Sequence, residues 1–423
     1  MQSLRHKIYN WLRWSEKYVK TDMVYLAKGG FWQILGQVAI SALSFGLIFL
    51  FANYLPKEIY GLYRYILSLA GILSIFTLSG MNQAVSQTVA TGNEGALRDS
   101  VRYQLKWNLV QFVAFCALSS YYFYNENISL ALPLFIIGIF APLTQAFNTY
   151  GAYLEGKRQF RLNNIFSITS TAIYSVGMML VIMLSGKVTL LILVYALTTF
   201  GTTLLFYLVT LHKFNPPVTR NQNSLKYGRE LTFISLIGPV VAQIDKIILA
   251  HFWGVAQLAS YSIATAIPDR GISFIKGWIA IAFPKFSTKT PLELNRVLYL
   301  RIFQGLLIGS VCTIGYVMIS PYLFTYFLPK YLDNLFYSQL LSISFIFALP
   351  NRYISLLRVS QKMSGLILTN SLIENLIRLT SYIILGIWGG ILGLVLAQVL
   401  NAAISLLINI IMWNTYNRDM KIA

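Results

Sequence analysis

Charge is what this sequence has least of. Charged residues make up 11% of the 423-residue chain, 56% of residues are hydrophobic and the mean hydropathy is +0.62. A soluble domain carries about 25% charged residues, so an ordinary water-soluble fold is excluded. Acidic residues are the scarcer sign, 14 Asp and Glu against 33 Lys and Arg. In a soluble protein that excess would point to nucleic acid. Here the basic residues are scattered through short loops between apolar runs, and no soluble segment exists to hold a polyanion, so no nucleic-acid partner is expected. The two cysteines, Cys116 and Cys312, both lie inside apolar runs, which excludes a disulfide framework. His6, His212 and His251 are isolated. With no metal-ligand cluster, Walker loop, dinucleotide fingerprint or nucleophile triad, neither a metal, a cofactor nor an enzymatic activity is expected.

The N-terminal stretch MQSLRHKIYNWLRWSEKYVKTDMVYLAKGG has no continuous apolar core beside its charges and no small-residue cleavage site, unlike a secretory signal. Ile8, Trp11, Leu12 and Val19 fall near helical spacing among Arg5, Lys7, Arg13, Lys17 and Lys20. Residues 1–28 therefore read as a helix lying on an anionic inner leaflet, with a flexible basic tail as the alternative.

What is abundant is apolar runs of about 20 residues, the length that crosses a bilayer. They number about twelve: 29–51, 61–81, 105–124, 129–150, 163–184, 189–211, 231–251, 259–284, 301–320, 338–356, 365–386 and 390–413. Loops on the side of the N-terminus carry Arg98 and Arg102, Lys157, Arg158 and Arg161, Lys213, Arg220, Lys226 and Arg229, Lys285, Lys289 and Arg296, Arg358 and Lys362, and finally Arg418 and Lys421. The opposite loops hold only Lys57, Lys187 and Lys330. By the positive-inside rule both termini are cytoplasmic. The longest break, HKFNPPVTRNQNSLKYG, has linker composition and divides the runs six and six. The expected division is an N-lobe over 29–211, a linker over 212–230, a C-lobe over 231–413 and a tail over 414–423. Weak echoes between the halves, such as LFANYLPKEIYGLY with LAHFWGVAQLASY, suit a parallel repeat about the membrane normal. The fold class is thus an all-α polytopic membrane protein with two pseudo-symmetric six-helix lobes around a central cavity.

Some charges sit deep in the runs. The eighth reads ATAIPDRGISFIKGWIA, with Asp269, Ser273 and Lys276 on one face and Arg270 offset by about 100°. Arg64 lies in the second run, Asp245 and Lys246 in the seventh, and Glu374 and Arg378 in the eleventh, four apart and able to pair. Each costs roughly 2.5–3.5 kcal/mol near mid-membrane, so together, facing lipid, they would cost on the order of 20 kcal/mol. They must be paired or bathed in water. Pro268 and Gly271 are expected to break or kink the eighth helix beside a cavity. Gln33, Gln37, Ser41 and Ser44 line part of the first helix, Asn164, Ser167 and Thr171 the fifth, and Gln398, Asn401 and Ser405 the twelfth. These stripes read either as packing glue or as sugar contacts, and Gly386 and Gly390 as packing.

The stretches KGGFWQILGQVAIS, PKEIYGLYRYILSLAG and TLSGMNQAVSQTVATGNEGALRDS, followed by IDKIILAHFWGVAQLASYSIA and PYLFTYFLPKYLDN, resemble the polysaccharide-biosynthesis flippases, the Wzx-like branch of the MOP exporter superfamily. The resemblance is diffuse and spans nearly the whole chain. It implies a multi-pass protein of the bacterial inner membrane that moves an undecaprenyl-diphosphate-linked oligosaccharide to the outer leaflet, with glycosyltransferases or a polymerase as partners. It also implies that the second and eighth helices line the cavity. On that reading Arg64, Arg270, Lys276, Lys246 and Arg378 are diphosphate-binding cations, because a guanidinium fork suits phosphate oxygens and an ammonium acts as a point charge. Asp269, Asp245 and Glu374 are the carboxylates available for ion coupling, and Gln33, Gln37 and Ser41 are candidate sugar contacts. The competing readings are a MATE-type cation antiporter, a membrane glycan polymerase or ligase, and a scaffold without transport activity.

Overall fold

The computed structural model describes residues 23–218, 222–280, 291–360 and 364–422, and within them the chain is almost wholly helical. Nine stretches among the described residues are long and apolar enough to cross a membrane. One of them, Thr369–Thr415, folds back on itself at Gly390 and so holds two crossings. Gly390 has φ 53° and ψ −131°, a backbone conformation essentially confined to glycine, so this residue is the turn of a hairpin. It also packs, as expected, since a Cβ there would lie 3.1 Å from the ring of Trp253, whose indole N–H donates to the Gly386 carbonyl at 3.1 Å. Two further crossings escape a simple hydropathy reading. The third is divided at Asn108 and the eighth carries Asp269 and Arg270. Twelve crossings result, matching the twelve apolar runs.

The first six are α1 (Met23–Tyr54), α2 with α3 (Lys57–Leu73, Met81–Ala90), α4 with α5 (Ala96–Trp107, Leu109–Tyr124), α6 with α7 (Ile128–Phe147, Thr149–Gly156), α8 (Phe160–Leu184) and α9 (Val188–Phe214). The second six are α10 with α11 (Gln222–Ile234, Ile237–Trp253), α12 (Val255–Ala280), α13 (Pro291–Phe327), α14 with α15 (Leu335–Ser342, Ser344–Ser360), and the two arms of α16 (Ser364–Ile422). Within the first set α1 packs on α8, α5 on α6, and α6 and α8 on α9. Within the second, α13 packs on α15, and α15 and α11 pack on α16. Close approach is paid in small residues: a Cβ at Gly138 would lie 2.6 Å from the Phe115 Cβ, and one at Gly309 would lie 2.5 Å from the Phe345 carbonyl oxygen. Polar side chains knit the same helices. Asn108 donates to the Pro142 carbonyl at 2.8 Å, and Gln104 to Thr149 at 2.8 Å.

The two lobes meet chiefly where α2 lies against α11 and α12. One end of the bundle gathers basic loops: Lys157 pairs with Glu94, and Arg98 donates to Asn215 at 3.4 Å. At this basic end the lobes touch along one flank, where the Gly80 amide donates to Thr232 at 3.0 Å and Thr88 to Ser224 at 3.1 Å. The opposite end is closed more broadly. Asn53 donates to the Phe327 carbonyl at 2.7 Å, Lys330 donates to the Asn53 carbonyl, and Lys57 lies 5.1 Å from the Tyr331 ring centroid. The Phe45 and Phe49 rings meet Phe327 edge-on at 5.8 and 6.2 Å. Beneath that seal runs the largest apolar core, joining Phe51, Tyr63 and Ile66 of one lobe to Ala259, Ile263 and Phe324 of the other.

Candidate functional site

Below the seal, α1, α2, α8 and α12 enclose a cavity of about 310 Å³. Arg64 from α2 and Asp269 and Arg270 from α12 line it, together with Ser44, Tyr63 and Tyr174. Three charges expected at depth in two different runs are thus brought to one chamber between the lobes. The arrangement follows from helix geometry. α2 presents Tyr60, Tyr63, Arg64 and Leu67 at three- and four-residue spacing, a single face, and α12 presents Ser262, Thr265, Ala266, Asp269 and Ser273 in the same way. Arg64 reaches across the lobe interface to Ser262, Nε to Oγ at 3.4 Å, while the Tyr63 and Tyr174 hydroxyls share a bond at 2.9 Å. The Ser273 hydroxyl donates back to the Asp269 carbonyl at 2.8 Å, placing both on the expected polar stripe.

α12 passes through Pro268 and Gly271 as one helix, so of the expected break or kink the break does not occur. A proline removes one backbone hydrogen bond and need not end a helix that long packing contacts hold on both sides. Gly271 serves that packing: a Cβ there would lie 2.9 Å from the Phe345 ring.

Asp269 also lines a second cavity of about 510 Å³ inside the C-lobe, where α12, α14, α15 and both arms of α16 converge. Three guanidinium groups face it, Arg352 and Arg358 from α15 and Arg378 from α16, beside Glu374. Glu374 and Arg378 do not pair with each other. The Glu374 carboxylate instead accepts from Asn370 at 2.8 Å, Ser405 at 2.7 Å and Asn409 at 3.4 Å. Arg358 is 4% exposed and bonds Asn409 through Nη2, whereas its Nε and Nη1 have no partner among the described residues. Sequence reasoning assigned Arg358 to a loop and passed over Arg352. The available signal was position, since Asn351, Ser355 and Arg358 recur on one helical face with Arg352 beside it.

The other expected residues are distributed as follows. Lys246 is not part of the central cavity lining; its amine donates to Gln243 at 2.8 Å, three residues back on its own helix. Asp245 is buried in the C-lobe, where its Oδ2 accepts from the Tyr261 hydroxyl at 2.7 Å and its Oδ1 has no partner among the described residues. Gln398, Asn401 and Ser405 line the C-lobe cavity. Gln37 and Ser41 are absent from the central lining, to which α1 contributes Ser44 instead. The side chains of Gln33 and Lys276 lie outside the described residues. Among the described residues there is no cluster of His, Cys, Asp and Glu able to hold a metal ion.

Comparison with solved structures places the fold. An inward-facing multidrug-resistance MATE family transporter of the MOP superfamily matches with TM-score 0.66 at 15% identity, over 91% of this chain and 99% of that one. The lipid II flippase MurJ in an inward closed conformation matches with TM-score 0.65 at 14% identity, over 89% and 87%. A MOP superfamily transporter from Pyrococcus furiosus, described as having a binding pocket of reverse polarity, matches with TM-score 0.55 at 14% identity, over 92% and 95%. No curated protein matches by sequence. The fold is therefore that of MOP-superfamily transporters, in a multi-pass membrane protein. The family model described as polysaccharide biosynthesis protein matches residues 26–289, most of the chain and every residue that lines the central cavity, so the chain belongs to that family.

Proposed function

We propose that the protein is a flippase that moves an undecaprenyl-diphosphate-linked oligosaccharide between the leaflets of the bacterial inner membrane, from the side of its basic loops to the other. The observation that carries this reading is the guanidinium lining of two adjoining chambers: Arg64 and Arg270 in one, Arg352, Arg358 and Arg378 in the other. Two phosphates in hydrocarbon need fixed positive charge and donors, and a guanidinium provides both in a planar fork. A carrier of organic cations would need the opposite balance. The partnerless nitrogens of Arg358 favour an anionic guest, because a buried guanidinium with unmet donors is costly until something accepts from it. Closure around Asn53, Phe327 and Lys330 makes the present state the one shut at the end away from the basic loops. Alternating access then consists of parting these contacts and closing the basic end.

The deep carboxylates Asp245, Asp269 and Glu374 are the groups through which an ion gradient drives the cycle. Asp245→Asn, Asp269→Asn and Glu374→Gln are each expected to uncouple transport from the imposed gradient. Unchanged gradient dependence in all three overturns the coupling.

The flippase reading is tested by complementing a bacterium that lacks its own capsule or O-unit flippase. Surface glycan and internal lipid-linked precursor are scored for wild type, Arg64→Ala and Arg270→Ala at matched expression. Rescue by wild type and failure by the arginine variants supports cation-assisted flipping. Failure of well-expressed wild type across hosts making several glycans refutes it.

A further inference from the structure

A third cavity, of about 580 Å³, lies wholly in the N-lobe between α3, α7 and the start of α8. Its volume falls in the ~300–1,000 Å³ range of small-ligand sites. Its chemistry is unlike that of the arginine chambers: no Lys or Arg lines it, Glu155 is its one ionisable carboxylate, and amides dominate. Asn82, Gln83 and Gln87 come from α3, Asn148 from the turn between α6 and α7, and Asn163 from α8. Amides between the helices of a membrane protein usually serve as glue, as Asn108 and Gln104 do in this same lobe. These five make no side-chain hydrogen bond to any described residue, although they converge on one space. The Asn82 Oδ1 is buried without a partner. Each amide offers both donors and an acceptor, the complement of vicinal sugar hydroxyls, and Tyr150 adds an aromatic wall.

The cavity is also in line with the central chamber. Asn163 and Ser167, which line it, and Tyr174, which lines the central chamber, recur within about 20° of one face of α8. At 1.5 Å rise per residue their levels are separated by roughly 10–16 Å, the reach of a short saccharide attached to a diphosphate held above. Close packing fixes the wall between α3 and α7, since a Cβ on Gly156 would lie 2.6 Å from the Ser86 carbonyl oxygen. Gly151, by contrast, leaves the space open beside Asn163.

We infer that this N-lobe cavity is the saccharide subsite of the transport pathway, reading neutral sugar hydroxyls through amides while the arginine chambers hold the diphosphate. The inference rests on the flippase reading and adds to it the place and chemistry of glycan selection.

The test measures binding to full-length protein in lipid nanodiscs. The probes are undecaprenyl diphosphate alone and undecaprenyl diphosphate bearing N-acetylglucosamine extended by one to three neutral hexoses. Wild type is compared with the Gln83→Ala/Gln87→Ala double variant, both positions being exposed to the cavity, and with Arg64→Ala/Arg270→Ala. The expected result is that wild type prefers the sugar-bearing probe, that the glutamine variant loses about tenfold for that probe while binding the bare diphosphate as wild type does, and that the arginine variant weakens for both. If the glutamine variant keeps the full preference, or wild type shows none, the subsite is wrong and the flippase reading survives. If wild type binds neither probe, both fall.

Discussion

Gly61 offers a direct test of how the lobes are held. It lies one turn into α2 and faces the start of α12 across the lobe interface, where a Cβ would sit 1.8 Å from the Val255 carbonyl oxygen and 2.5 Å from its carbon. Even a tight contact needs about 3.0 Å, so Gly61→Ala forces the backbones apart by more than an ångström. Both opposing atoms are backbone, and no side-chain rotation relieves them. The clash lies between lobes and not within either, so each six-helix unit stays folded and the cost falls on the closed state alone. Overpacking costs typically 1–3 kcal/mol, and at 1.4 kcal/mol per factor of ten that shifts the balance between end-closed and end-open states by roughly 5- to 150-fold. Spin labels at Tyr54 and Leu332, both exposed at the sealed end, report the shift in a Cys116→Ser/Cys312→Ser background. Wild type should give a short distance distribution and Gly61→Ala a longer one, with transport reduced. A folded Gly61→Ala protein with an unchanged distribution refutes the reasoning.

Other expectations follow from individual contacts. Arg358→Met removes a buried guanidinium with two unmet nitrogens, so thermal stability should hold or rise, by up to about 1–4 kcal/mol, while transport falls; a marked loss of stability would make Arg358 a structural residue. Glu94, outside the membrane-spanning segments, is held below the usual carboxylate range by hydrogen bonds from Lys157 and then Tyr153. That stabilisation is present above the ordinary carboxylate pKa and is lost as pH falls through the lowered value. Glu94→Gln should therefore cost about 1 kcal/mol or less at neutral pH and flatten the acid limb of a melting-temperature profile; parallel profiles would count against the bond. Gly390→Ala places a Cβ on a backbone with φ 53° and 3.1 Å from the Trp253 ring. It should destabilise by about 1–3 kcal/mol, read as a lower melting temperature in detergent, and an unchanged melting temperature would remove the strain argument.

Hydropathy made the crossings legible, because a bilayer imposes both a length and a composition on every helix. Deep arginines were legible for the same reason: Arg64 and Arg270 stand out against apolar runs, and they meet in the central chamber. Arg358 was not, because hydropathy cannot tell a basic loop from the last turn of a helix, and α15 continues to Ser360. Lys246 stands out equally well in sequence, yet its amine donates to Gln243 on its own helix and does not line the central chamber. The N-lobe amides were missed because Asn82, Gln83 and Gln87 carry no charge, and only the fold brings Asn148 and Asn163 opposite them. Gly390 likewise fitted a spacing rule, whereas its positive φ is visible only in three dimensions.

Asp269 belongs to the lining of both the central and the C-lobe chamber. α12 therefore borders both rooms, and Asp269 is the charged residue they share. On the flippase reading, two compartments that share a charged residue would not fill independently. A dianion settling beside Arg64 and Arg270 repels Asp269 from one side, and whatever occupies the space before Arg378 feels that same carboxylate from the other. On the proposed flippase reading, the occupancy of one chamber would therefore set the affinity of its neighbour through Asp269.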